Sequence, residues 1–130
     1  MPDENPLAHL HQAAEAVRQQ LPADDFNEAG VQRLTAFIEE QRPLLTRDNV
    51  QGVVLALGAF LGECLVRSYQ GEWASGPDGT TGVGFQGTRF YNPFYRVMLQ
   101  FDNGLKDSVA EFYASIPQRL AEPLPKRGWI

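Results

Sequence analysis

The sequence predicts an α+β fold, a mostly helical single domain around one buried central helix, with a small antiparallel β-hairpin or three-stranded sheet after it. Three observations carry that expectation. From Val53 to Leu61 every residue except Gly58 is apolar, and a helix apolar on all sides belongs between other elements. Upstream, stretches opening near Pro6 and Phe26 repeat apolar residues at helical spacing. Downstream, Glu72-Trp73-Ala74 and Val83-Gly84-Phe85-Gln86 flank the turn-rich segment SGPDGTTG, the pattern of a hairpin.

The 130 residues are expected to form one domain. Its parts are a flexible tail over 1–5, N-terminal helices over 6–45, the central helix over 46–70, the hairpin over 71–91, two helices over 92–117 and an extended tail over 118–130. A content of 43% hydrophobic and 21% charged residues excludes a mostly disordered chain. The net charge of -5 argues against a nucleic-acid binder, which needs a basic patch to neutralise phosphates. Cys64 is the only cysteine, so no intramolecular disulfide is expected. The opening MPDENPLAHL has acidic residues where a secretory signal carries positive charge. A cytoplasmic location follows as the expectation, without a membrane span, because a span needs roughly 20 apolar residues and Glu63 interrupts this run.

Each element has a local reason. Pro6 opens a helix through about Gln20, with Leu7, Leu10, Ala14 and Val17 on one face and Pro22 beyond its end. Asp24-Asp25 are candidate caps for a second helix over about Phe26 to Gln41, whose apolar set is Phe26, Val31, Leu34, Phe37 and Ile38. Pro43 separates it from the central helix, which Thr46 caps with Asp48 in the first turn and Gly71 ends. A third strand is expected over Arg89 to Tyr91, with Trp73, Phe85 and Phe90 covering one end of the central helix. Asn92-Pro93 reads as an N-cap followed by proline at the first helical position. That helix runs through Phe101 to the Asp102-Asn103-Gly104 turn. Ser108 and Glu111 have capping-box spacing for a last helix, with Val109, Phe112, Tyr113 and Ile116 inward, and Pro117 ends or distorts it.

Inside the central helix Gly52, Gly58 and Gly62 cost about 1 kcal/mol each relative to alanine, so close packing must offset them. Gly52, Ala56, Ala59 and Glu63 lie along one small-residue face, with Gly58 and Gly62 one turn apart beside it. Val54, Leu57, Leu61 and Cys64 form a bulky stripe elsewhere. The small face would admit another backbone. Gly58 and Gly62 match G-x-x-x-G, which marks helix pairing only inside a membrane. Glu63 shares the small face. It is either paired, with Arg67 one turn on or with a residue from elsewhere, or desolvated with a raised pKa. A plainer reading is a helix-end carboxylate that reaches solvent or accepts from amides of the next loop.

Motifs that would name a chemistry fail on context. Gly82-Val83-Gly84-Phe85-Gln86-Gly87 matches G-x-G-x-x-G, yet no helix can open before Pro93, so neither a nucleotide nor another cofactor is expected. His9 and His11 are two apart and cannot chelate one metal as an i, i+4 pair does, which leaves both as surface residues. There is no metal-ligand spacing and no G-x-S-x-G elbow, and no catalytic residue is assigned.

The order Gly58-Ala59-Phe60-Leu61-Gly62-Glu63, Gly71-Glu72-Trp73, Asn92-Pro93-Phe94 and Asp107-Ser108 resembles that of small bacterial domains of unknown function with an L-G-E helix, a G-x-W strand and an N-P-F turn. The likeness covers roughly residues 52–117. It implies a bacterial origin and this order of elements, and it transfers no catalytic residue.

Two functional readings follow. The first is a non-enzymatic protein-interaction module, an acidic immunity-type antagonist of a basic partner, motivated by the net negative charge and the lack of a catalytic constellation. The alternative is a small-ligand or enzymatic pocket between the sheet and the central helix, built from Glu63, Trp73, Arg89 and Asn92.

Overall fold

A computed structural model describes residues 6–76 and 79–123 of the chain. Its elements run α1 (Pro6–Gln20), α2 (Glu28–Gln41), α3 (Val50–Tyr69), β1 (Glu72–Ser75), β2 (Thr81–Phe85), β3 (Arg89–Tyr91), α4 (Pro93–Asn103), a 3-10 turn (Gly104–Asp107) and α5 (Val109–Ala121). This is the α+β architecture that the sequence predicts. The sheet is antiparallel in the order β1-β2-β3, with Trp73 opposite Val83 and Val83 opposite Tyr91.

α3 is the centre. By length and composition it is apolar enough to cross a bilayer, but here protein surrounds it: Val54, Leu57 and the unbroken run Gly58 to Leu65 are buried. Its neighbours are α1 and α4 above all, then α2, α5 and the first two strands. Burial of a Phe60, Leu61 or Leu65 side chain contributes about 1.5 to 3 kcal/mol. The helical glycines are sockets for aromatic rings. A Cβ on Gly58 would lie 2.3 Å from the Phe94 ring and 2.9 Å from Phe94 Cα, and one on Gly62 would lie 2.1 Å from the Trp73 indole. Among the three helical glycines, the expected approach of another backbone therefore occurs only at Gly58. At Gly62 a side chain takes that place, and Gly52 has nothing within 4 Å of such a Cβ.

Several boundaries differ from the sequence expectation, each for a local reason. Thr46 opens a single turn instead of α3, because the Thr46 amide donates to Asn49 Oδ1 at 2.9 Å and the helix proper starts at Val50. Asn27, whose side chain accepts from the Gly30 amide at 3.1 Å, caps α2. Asp25 instead accepts from the amide of Phe26 at 2.7 Å, so Phe26 precedes the helix. Gln70, not Gly71, turns the chain out of α3 at a left-handed φ of 62°. Gly71 is small because a Cβ there would stand 2.5 Å from Val83 Cγ1. Phe90 folds back over Gly76 and Gly82 of its own hairpin, while Trp73 covers α3. The Asp102-Gly104 turn becomes the end of α4 and the start of the 3-10 turn. The Asn92 and Ser108 caps form as read, accepting from Tyr95 and Glu111 amides at 3.0 Å each.

Pro117 does not end α5, which continues to Ala121. Proline has no N–H for the carbonyl four residues back, here that of Tyr113. The Tyr69 hydroxyl donates to that carbonyl at 3.0 Å, so the last residue of α3 repairs the gap in α5. Residues 118–121 are thus helical, and the rest of the expected tail from 124, with Trp129 and Ile130, lies outside the described residues, as do residues 1–5. A second buried knot is Gln100 on α4, fully enclosed. Its Nε2 donates to the Thr35 carbonyl at 3.1 Å and to Glu39 Oε2 at 2.8 Å, and its Oε1 accepts from the Val109 amide at 2.9 Å.

Candidate ligand-binding groove

The four residues expected to form a pocket go to three places. Glu63 and Trp73 meet: the indole Nε1 donates to Glu63 Oε1 at 3.1 Å. Gly62 makes this contact possible, because only a residue without Cβ lets the ring lie flat enough on α3 for its N–H to reach one residue further along. Asn92 stands at the start of α4 as its cap. Arg89 turns to the end of α5, where its Nη2 donates to the Glu122 carbonyl.

Glu63 is 3% exposed, and a carboxylate taken from water needs charged or hydrogen-bonding partners. It has two donors, and a third element stands close by. Arg67 Nε donates to Oε2 at 3.2 Å from the next turn of α3, Trp73 reaches in from β1, and His11 Nε2 on α1 lies 3.5 Å from Oε1. Arg67 also covers the Phe26 ring at 4.5 Å and stands 4.0 Å from Asp25, so the cluster ties the entry to α2 onto α3. His11 was read as a surface residue and is half exposed. Its position three residues before the fully buried Ala14 puts it on the α1 face that meets α3, a signal the sequence did carry. The next residue, Cys64, is fully buried. Burial, and then the charge of Glu63, push its thiol far above the usual range, so it stays protonated and is no nucleophile.

The concave feature with room for a ligand lies along the other end of the same small-residue face. A groove of about 820 Å3 runs between α1, α3, the β1-β2 turn and the start of α4. α3 supplies Gly52, Leu55, Ala56 and Ala59, and α1 supplies His9, Leu10 and Ala13. The far wall is Gly79, Thr80 and Thr81 with Asn92 and Phe94. The floor is low because α1 and α3 face each other there with alanine and glycine. Leu55, at 58% exposed, stands on its edge. Of the expected site residues, Asn92 alone lines this groove.

No protein-family model, curated protein or solved structure matches this chain. The likeness of its L-G-E, G-x-W and N-P-F motifs therefore names no family for it, and the functional reading rests on geometry. Chemically the groove offers apolar contact along Leu10, Leu55 and Phe94 and a few polar groups at its rim, His9, Thr80, Thr81 and Asn92. Among the described residues no carboxylate lines it. Among the described residues no group of three or more His, Cys, Asp or Glu could hold a metal ion.

Proposed function

We propose that the protein is a non-catalytic binding module that takes a small apolar molecule with a neutral hydrogen-bonding end in the groove between α1, α3 and the hairpin. The observation that carries this reading is the groove's size and lining. About 820 Å3 is within the range of roughly 300 to 1,000 Å3 typical of small-molecule sites, which are mostly apolar with a few placed polar groups. The small residues of α3 support it as well. Gly58 and Gly62 are explained by the rings they seat, whereas Gly52 lines the groove and a Cβ there would meet nothing within 4 Å. The reading as an acidic antagonist of a basic partner rests on the net charge of -5, and among the described residues no acidic group lines this groove.

The test is a fluorescence titration with the neutral probe 1-aminoanthracene. Saturable binding in the micromolar range is expected, weakened about tenfold or more by Ala56→Phe, which places a ring on the groove floor, corresponding to roughly 1.4 kcal/mol. Absence of saturable binding, or equal binding by Ala56→Phe with its circular dichroism unchanged, would contradict the proposal.

A further inference from the structure

On the opposite side of α4 two arginines crowd one aromatic ring. The Arg96 guanidinium carbon from α4 lies 4.2 Å from the Phe112 centroid, and that of Arg119 from further along α5 lies 5.3 Å from it. Both line a cleft of about 190 Å3, together with Lys106, Ser108 and Ser115. Among the described residues no carboxylate pairs with either guanidinium within 4.0 Å; the arginine ion pairs belong to Arg18, Arg42 and Arg67. Arg119 Nε donates to Ser115 Oγ at 2.6 Å, a neutral partner. Two carboxylates also line the cleft. Asp107 accepts from the neutral Asn103 Nδ2 at 2.7 Å and partly offsets the charge of Arg96 without an ion-pair contact, and Glu111 is exposed on α5.

Like charges held together in a partly dry site repel, and each disfavours the charged form of the other. Arg96 shows this: burial first, then Arg119, lower its pKa from the ordinary arginine value. An anion between the two would offset that repulsion. The α5 N-terminus does not supply the recognition here, since Gln100 Oε1 accepts from the Val109 amide and Ser108 Oγ from the Glu111 amide.

We propose that the Arg96–Arg119 cleft binds a phosphate group, either free inorganic phosphate or the end of a phosphomonoester. Guanidinium forks match tetrahedral oxyanions with paired hydrogen bonds. The cleft's 190 Å3 is below the range of roughly 300 to 1,000 Å3 for drug-sized ligands, which suits one anionic group with the remainder of a larger molecule outside. Lys106, on the 3-10 turn at the edge, adds a point charge. This site is independent of the apolar groove. Phe94 and Arg96 are two residues apart on α4 and so point to opposite sides of it.

The test follows the arginine Nε–Hε resonances of the full chain by NMR, at matched ionic strength, with sodium phosphate, phenyl phosphate and sodium chloride. Saturable shifts at Arg96 and Arg119 with phosphate or phenyl phosphate, absent with chloride, are expected. Arg119→Gln should weaken them about tenfold. Tighter binding of phenyl phosphate assigns the site to a phosphomonoester, and equal or weaker binding assigns it to the free ion. Should Arg119→Gln fail to fold, Arg119→Lys takes its place, keeping the charge without the fork, and several-fold weaker binding supports the site. Shifts that do not saturate, shifts that chloride reproduces, or binding unchanged in the Arg119 variant would overturn the proposal.

Discussion

Glu63 shows how single side chains set the packing of this protein. A carboxylate 3% exposed next to Cys64 in the most apolar helix is tolerable because Trp73 and Arg67 donate N–H groups to it, with the His11 ring 3.5 Å away on α1. The same residue scale explains why the three α3 glycines are not equivalent. Alanine at Gly62 or Gly58 would meet Trp73 at 2.1 Å or Phe94 at 2.3 Å, an overpacking that typically costs about 1 to 3 kcal/mol. At Gly52 a Cβ meets nothing, and alanine there gains up to about 1 kcal/mol of helix propensity. Urea denaturation should therefore show Gly52→Ala stabilised and both Gly58→Ala and Gly62→Ala destabilised; the same sign at all three positions would contradict the socket account. Glu15 on α1 gives the pH dependence. Arg18, donating from Nε at 2.9 Å and Nη2 at 2.6 Å, and then Gln19 hold its pKa down from the ordinary 4.5 to about 2. A carboxylate depressed in the folded state adds stability that is complete above its unfolded value and is lost as pH falls through the folded one. The wild type should thus lose more stability than Glu15→Gln between about pH 4.5 and 2, by a small margin because the side chain is 45% exposed and solvent screens the pair. Denaturant midpoints of the two proteins across that window measure it.

Between elements, a few polar contacts join helices whose apolar faces alone would leave their register loose. Gln100 ties α4 to α2 and to the start of α5. Arg42 Nε, just past α2, donates to the Phe101 carbonyl at 3.1 Å, meeting a last-turn acceptor of α4 that has no helical donor. Tyr69 closes the gap at Pro117. Its ring lies 5.1 Å from that of Tyr113, and burial, followed by the neighbouring Tyr113, pushes its pKa up to about 12, so the hydroxyl remains a donor at neutral pH. Removal of that donor strands a carbonyl, at about 1 to 3 kcal/mol. Tyr69→Phe should cost that much with proline at 117 and less in a Pro117→Ala background, where alanine's own N–H serves the carbonyl. A double-mutant cycle in urea reads the difference, and additive effects would contradict the repair.

At the scale of the whole molecule, what was legible in the sequence was what short-range chemistry decides. The Asn92-Pro93 and Ser108-Glu111 starts, the three strands, the buried run on α3 and the inward set Val109, Phe112, Tyr113 and Ile116 all depend on neighbours within a turn or a hairpin. The continuation of α5 past Pro117 depends on a hydroxyl 44 residues away in the chain from the carbonyl it serves, and no local pattern records that. The candidate site divides in the same way. Glu63 beside Arg67 could be read from one helix, and Trp73 was placed near it, but Arg89 was drawn off by Glu122, a partner beyond the reach of spacing arguments. The groove was visible only as a small-residue face on α3, without the α1 and hairpin walls that make it concave. Its role as a binding site is the central claim, and methyl NMR of the full chain titrated with 1-octanol tests it most directly. The account predicts saturable shifts for the methyls of Leu10, Ala13, Leu55 and Ala56, with those of the enclosed Leu34 and Ile38 unmoved. Shifts spread evenly over the protein, or no saturation at the groove methyls, would contradict it.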